Sequence, residues 1–296
     1  VEADVTATAV PGRRRRRIHI VPVLVVVFCA SYFFIPLIAM ARFAFQSLPM
    51  VRLGWSTLFD RWSLRPAFRA FHDPAFMPAL IYSLKLAVGA IIVTLGLLLP
   101  TALWVHLRIP RAAPLVEVLS VLPYVVPPIA LVVGVAGAFR DHAPWFLSSQ
   151  LCLIPFYAVL AMPFTYRALD AGIRAIDLRT LVDASRSLGA GWGTTLFRVL
   201  VPNLKSAIIG SAFLTATVVL GEFTIASLLL KPTLPAFSVN FYNKEPQGGI
   251  AFGLVSILAT TLLLALFTLF TRRPGRDKGA AAAAGTVAMT VDIAGP

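Results

Sequence analysis

Six apolar stretches organise the chain. They cover 18–41, 79–107, 112–139, 143–166, 206–230 and 249–271, and a membrane-crossing helix requires roughly 17–25 apolar residues. Charge is nearly absent from them. Lys85 interrupts the second, Glu117 the third and Glu222 the fifth, while the fourth and sixth carry none. At 1.5 Å per residue the second stretch would reach about 44 Å, so it must tilt, kink or protrude into water, and Pro100 offers one place to bend. Pro123, Pro127 and Pro128 are expected to bend the third and widen a cavity, because membrane helices accommodate proline. The pattern predicts an all-α polytopic membrane protein of six helices.

The first stretch follows Arg13–Arg17 and ends in Ala39-Met40-Ala41, which nominally fits a signal peptide with its cleavage site. Its apolar run is too long for a signal core, and five further stretches follow, so it is read as a retained span. Between the spans lie a loop of moderate length (about 42–78), a short turn at 108–111, a tight turn near Asp141, a long loop at 167–205 and a shorter one at 231–248. Segment 1–17 is a basic arm. The tail, 272–296, includes Ala280–Ala284 without amphipathic pattern and is expected to be disordered.

Composition agrees with this picture and removes alternatives. Hydrophobic residues make up 58% and charged ones 13%, with a mean hydropathy of +0.83; soluble domains carry about 25% charged residues. There are 26 Lys+Arg against 13 Asp+Glu, a net charge of +13. In a soluble protein that excess would point to nucleic acid, but no basic stripe with interleaved aromatics is present. Placement explains it instead. Segments 1–17, 108–111, 167–205 and the tail hold 17 basic residues, and the opposite set holds 8. By the positive-inside rule both termini, and the 167–205 loop, are cytoplasmic.

Candidate chemistry is sparse. Cys29 and Cys152 lie in apolar runs, which offers neither a disulfide framework nor a zinc site. His19, His72, His106 and His142 share no metal-ligand spacing. No phosphate-binding loop, Ser-His-Asp set or catalytically spaced carboxylate pair is visible, so the chain is not expected to be an enzyme or to bind a cofactor itself.

The 167–205 loop carries more information, since a connection of this length is commonly functional. Leu178, Leu181, Val182 and Ser185 recur at three- and four-residue spacing, which predicts a short amphipathic helix. Asp177 is placed to cap its start, and Gly189 to supply the left-handed residue at its end. Gly191 and Gly193 loosen the turn, and a second helical run from Thr194 to Leu200 ends at Pro202. A helix–turn–helix unit of this kind makes sense as a docking element for a soluble partner.

Asp183-Ala184-Ser185-x-x-x-Gly189, nine residues, then Val199-x-Val201-Pro202 closely resembles the EAA motif of ABC importer permeases, which reads Glu-Ala-Ala-x-x-x-Gly, nine residues, Ile-x-Leu-Pro. The spacing is kept, with Asp for Glu, Ser for Ala and Val for Ile and Leu. The resemblance extends over roughly 80–273. It includes Leu122-Pro123-Tyr124-Val125-Val126-Pro127-Pro128 and Leu220-Gly221-Glu222-Phe223, which look like the subgroup handling polyamines, ferric iron and phosphonate-type oxyanions. It implies a type I ABC importer-like fold in the cytoplasmic (inner) membrane. It also implies partners: two ABC ATPase subunits that bind ATP-Mg, a second permease, homologous or identical, and an extracytoplasmic solute-binding protein, besides membrane lipid and without nucleic acid. In such importers the EAA loop forms a coupling helix seated in a cleft of the ATPase. Asp183, Ala184, Ser185, Arg186, Leu188, Gly189 and Pro202 are thereby the expected ATPase-coupling residues. Leu178, Leu181, Val182 and Leu188 are the expected gripped face, and Asp183 with Arg186 the register-setting charges.

Glu222, Pro127 and Lys85 are the candidates for the translocation pathway. An ionisable group inside a span is costly and therefore a functional hypothesis, although Glu222 also suits a structural carboxylate between helices, and Lys85 a snorkelling ammonium. Glu117 is expected to reach water, Gly134 and Gly137 to permit close helix packing, and Trp104, Trp145 and Tyr166 to sit near span ends. His72, His106 and His142 are read as ordinary loop or interface residues. The outer segments have a net charge of +4, which favours an anionic solute by field alone; Glu222 favours a cation. A stand-alone secondary transporter or channel is the alternative, and a single carboxylate well inside a span disfavours ion coupling.

Overall fold

The computed structural model describes residues 20–46 and 62–271, whose regular structure is helical apart from one antiparallel bridge between Gln46 and Trp62. The basic arm 1–17 and the tail 272–296 lie outside the described residues. The chain divides into two compact units, Val1–Ser63 and Leu64–Pro296. In the first, α1 (Ile20–Phe45) is one continuous helix through Pro36, and the Phe45 carbonyl accepts from the Ser63 backbone N–H at 2.7 Å.

The second unit holds α2 (Arg65–His72), α3 (Phe76–Arg108), α4 (Ala113–Val125), α5 (Pro128–His142), α6 (Pro144–Ser148) and α7 (Leu153–Arg174). Then come α8 (Leu178–Ser187), α9 (Trp192–Thr194), a π-helical turn (Thr195–Leu200), α10 (Val201–Asn203), α11 (Lys205–Gly221), α12 (Thr224–Leu228), α13 (Leu234–Lys244) and α14 (Pro246–Thr271). Among the described residues two helices, Val23–Phe45 and Phe76–Arg108, are long and apolar enough to cross a membrane, or four if each of two sharply bent pairs is one span.

Three helices make the centre: α3, α7 and α11 pack on one another. Small side chains let them do so. On α3 the buried positions Ala79, Ser83, Ala87, Ala90, Thr94, Leu98 and Ala102 follow one another at three- and four-residue steps. They form one face on which a neighbouring backbone can lie close. A Cβ on Gly172 of α7 would fall 2.2 Å from the Ala207 Cβ of α11, and one on Gly89 of α3 would fall 2.4 Å from the Ile154 Cδ1 of α7. Across the α7–α11 contact the buried Thr165 and Thr215 hydroxyls share a hydrogen bond of 2.8 Å, and the Ser211 hydroxyl donates to the Thr165 carbonyl. Gly134 and Gly137, expected at close packing, have nothing within 4 Å of an added Cβ. The tight approaches lie on other helices.

The third stretch bends sharply, as its prolines predict: α4 and α5 meet at 84°, because Pro127 and Pro128 remove two consecutive backbone donors and push the preceding residues out of the helical region. Three sequence boundaries are corrected. The fourth stretch does not begin at 143. A five-residue α6 and a turn precede α7, which starts at Leu153 and runs beyond 166 to Arg174, so the long loop proper begins at Ala175. The fifth stops at Gly221 rather than 230, and Glu222 stands in the break before α12. The 231–248 loop contains a full helix, α13. Pro100, by contrast, leaves α3 unbroken. At the end opposite α8, Phe76, Phe237, Phe241 and Phe252 close a separate cluster from α3, α13 and α14, and Arg69 of α2 pairs with Glu245.

Candidate functional site

Two parts of the second unit bear on function: the α8–α10 loop and a cavity between the broken helices. The loop is built as its residues dictate. Asp177 caps α8, accepting from the Thr180 hydroxyl at 2.7 Å and the Thr180 backbone N–H at 3.3 Å. These two bonds, the hydroxyl first, hold its carboxyl below the usual carboxylate range. At the other end Gly189 has φ +83°, a conformation that glycine alone takes without a Cβ penalty. Its N–H bonds the Arg186 carbonyl, and that of Ala190 bonds Ser185, closing the last turn.

The apolar face of α8 turns inward. Leu178 and Val182 are buried with Leu98, Leu103, Tyr166, Leu169, Ile173, Leu200 and Leu204, and Leu181 packs partly against the same group. This corrects the expectation that these three form a face for a partner to grip: the bundle itself grips them. Ser185 is buried too, its hydroxyl 2.9 Å from the Thr195 hydroxyl. What faces outward is Asp183, Ala184, Arg186, Leu188 and Gly189. Leu188 is 89% exposed, and Phe197 beyond it 70%. The Arg186 guanidinium lies over the Trp192 ring at 5.0 Å. Pro202 is exposed in the first turn of α10, and the rod from Trp192 to Asn203 then bends by 74° into α11.

Beneath this loop, polar pairs tie the helix ends together. The His106 Nε2 lies 2.7 Å from Asp170, which also accepts from the Arg174 Nε at 2.7 Å. Arg167 bonds Glu117 at 3.1 Å. His106 is therefore a bridging residue between α3 and α7, and Glu117 is engaged by an arginine. The Asp170–Arg174 spacing of four residues is a readable signal for one pair; the other two join residues 50 or more apart, which no local pattern exposes.

The second part is a cavity of about 490 Å³. Both helix breaks open into it. Tyr124, Val126 and Pro128 come from the α4–α5 break, and Gly221, Glu222, Phe223 and Thr224 from the α11–α12 break. Leu160 and Phe164 of α7 and Thr217 and Val218 of α11 complete the wall. Non-helical backbone at membrane depth is tolerated where it lines such a space. Glu222 is half-buried and caps α12, its Oε1 accepting from the Ile225 N–H at 2.9 Å and its Oε2 from the Ala226 N–H at 3.4 Å. Its negative charge thus sits at the positive end of a short helix. The Tyr157 hydroxyl of α7 is buried without a hydrogen-bond partner. Tyr124 and Phe164 meet edge to face at 5.7 Å. Of the three pathway candidates, Glu222 lines the cavity, Pro127 sits at the break beside two lining residues, and Lys85 is exposed on α3 outside it. Phe164 and Thr217 belong to the wall, though no sequence signal singles them out. No group of three or more His, Cys, Asp or Glu able to hold a metal ion occurs among the described residues.

Residues 110–276 match the family described as binding-protein-dependent transport system inner membrane component. The chain is 28% identical over 209 residues to a putative ABC transporter permease protein, ORF1, of Streptomyces antibioticus, covering 69% of this chain and 90% of that one. It is 24% identical over 224 residues to the spermidine/putrescine transport system permease protein PotB of Escherichia coli (strain K12), covering 69% and 80%. A shorter match, 29% over 76 residues, links 26% of it to 34% of the methionine import system permease protein MetP of Bacillus subtilis (strain 168). With more than half of its length matched, this integral membrane protein belongs to the family of binding-protein-dependent transport system inner membrane components, as a permease component of an ABC transporter rather than an enzyme.

Proposed function

We propose that the chain forms the solute path of an ATP-driven importer in the inner membrane, with six membrane helices and both termini cytoplasmic. In this reading α8 is the coupling helix. It docks on one of two ATPase subunits, which bind and hydrolyse ATP-Mg, and its movement switches the cavity between the two sides. A second permease completes the path, and an extracytoplasmic binding protein delivers the solute. The observation that carries the proposal is the division of α8 into two faces. Leu178, Val182 and Ser185 are buried against the bundle, while Asp183, Ala184, Arg186 and Leu188 stand outside. A helix anchored on one side transmits a push on the other as a rigid body. A partner that contacts Leu188 as an apolar anchor, with Asp183 and Arg186 at its rim, has the anatomy of an interface hot spot.

For the solute we propose an organic cation of the polyamine type. Glu222 supplies a negative charge to a cavity whose wall also presents Tyr124 and Phe164, and aromatic faces attract ammonium groups. The name of the PotB relative supports the same class, whereas the net charge of +4 in the outer segments favours an anion and counts against it. The deciding experiment is affinity purification of the full chain from native membranes. Recovery of an ABC ATPase, lost on Asp183→Arg, supports the reading; recovery of a transport-competent chain with no ATPase overturns it in favour of a secondary transporter or channel.

A further inference from the structure

A third feature belongs neither to the loop's outward face nor to the cavity. At the C-terminal end of α3 an apolar groove of about 340 Å³ is lined by Trp104, Leu107 and Arg108 and, across it, by Trp192, Leu196 and Leu200. The indoles of Trp104 and Trp192 are 61% and 48% exposed. Arg108 is the charged residue of the lining, and its guanidinium lies over the Trp104 ring at 5.8 Å. Two other arginines at this end of the bundle, Arg167 and Arg174, are each held by a carboxylate. Among the described residues no carboxylate lies within ion-pair distance of Arg108.

This combination selects a ligand with an acidic head and a long apolar body. A cation resting on an exposed indole gains only about 0.5–1 kcal/mol, so a phosphate brings a stronger charge-assisted bond without breaking an existing ion pair. The groove lies where a 33-residue apolar helix ends, the depth at which tryptophan and arginine meet lipid headgroups. We propose that the groove is a binding site for an anionic phospholipid, with its phosphate on Arg108 and one acyl chain laid between Trp104, Leu107 and Leu196. The Trp192 ring also carries Arg186 of α8, so a lipid seated there touches the element that holds α8. The proposal requires only that α3 crosses a bilayer, and it stands or falls independently of the coupling role of α8.

The test uses the full chain reconstituted in phosphatidylcholine vesicles, with tryptophan fluorescence quenched by phosphatidylglycerol or phosphatidylcholine brominated on the acyl chains. Brominated phosphatidylglycerol is expected to quench at a mole fraction about fivefold lower, the factor that one interfacial arginine provides. Arg108→Gln is expected to make the two lipids equal. Arg198→Gln, exposed at the same end but outside the groove, retains the preference. Trp104→Phe, which keeps an aromatic ring, removes most of the headgroup-dependent signal and serves if Arg108→Gln fails to fold. Equal quenching by both lipids in the unmodified chain overturns the site, as does a preference that survives Arg108→Gln. A preference weakened equally by Arg198→Gln identifies a diffuse surface potential and overturns it too.

Discussion

The Ser185 hydroxyl of α8 lies 2.9 Å from the Thr195 hydroxyl of the π-helical turn, and both are buried. One bond thus joins the two arms of the loop across the Gly189 turn, so that α8 and the rod leading to α11 move together. Ser185→Ala leaves the Thr195 hydroxyl buried without its partner, a loss expected to cost about 1–3 kcal/mol. Ser185→Ala with Thr195→Val removes both partners and is expected to recover most of it. Hydrogen exchange across 178–200 reads the difference, and unchanged protection in the single variant contradicts the bond's role.

Asp183 is exposed on α8 and directed away from the bundle. Asp183→Arg is expected to abolish solute-stimulated ATP hydrolysis by the reconstituted transporter while membrane insertion and thermal stability stay unchanged. Full stimulation by the variant would remove Asp183 from the docking surface.

Glu222 has two separable duties, a charge in the cavity and a cap on α12. Glu222→Gln keeps a carbonyl oxygen for the Ile225 N–H and loses the charge. Uptake of a cationic solute is expected to fall while stability changes little. Glu222→Ala loses both bonds and is expected to cost a further 1–2 kcal/mol or so, as removal of a helix cap does. Unaltered uptake kinetics in the Gln variant would leave the carboxylate with its structural duty alone.

Gly172 and Gly134 are expected to respond in opposite ways to one methyl group. An added Cβ at Gly172 meets the Ala207 Cβ at 2.2 Å, so Gly172→Ala forces α7 and α11 apart at a cost of about 1–3 kcal/mol. At Gly134 the same group meets nothing within 4 Å. There the change trades a flexible helix residue for a better helix former, worth up to about 1 kcal/mol in favour. Thermal unfolding of the purified chain in detergent measures both.

Protonation of Asp177 is expected to loosen α8. Its carboxyl is held below the usual range by the Thr180 hydroxyl and N–H, so the folded state favours the charged form. The cap's contribution is complete above the ordinary aspartate value of about 3.9 and is lost as pH falls through the lower folded value. Amide protection in α8, corrected for intrinsic rates, is therefore expected to be flat near neutrality and to drop in strong acid. Asp177→Asn, which retains an accepting oxygen, is expected to flatten that profile.

Local features of this protein are legible in the order of its residues alone. Apolar length marks α3, despite Lys85, and α14, because lipid solvation needs no pairing pattern. Asp177 and Gly189 delimit α8 because a cap and a left-handed residue act within one turn of chain. The motif from Asp183 to Pro202 resembles that of the family in both residue types and spacing.

Where apolar residues run on without a break, however, hydropathy does not register a corner. The prolines announce a bend in the third stretch but not its 84° angle, and the halt of α11 at Gly221 lies inside a stretch that reads as a continuous span. The meeting of these two breaks in one cavity depends on how α4, α7 and α11 pack. The inward turn of Leu178 and Val182 is likewise undecided in sequence, since an amphipathic stripe records that a face is buried but not what buries it. The sequence by itself determined where apolar length lies, the two ends of α8 and the resemblance of its motif; only the tertiary structure decided where the other helices break and which faces met, because packing joins residues that are far apart along the chain.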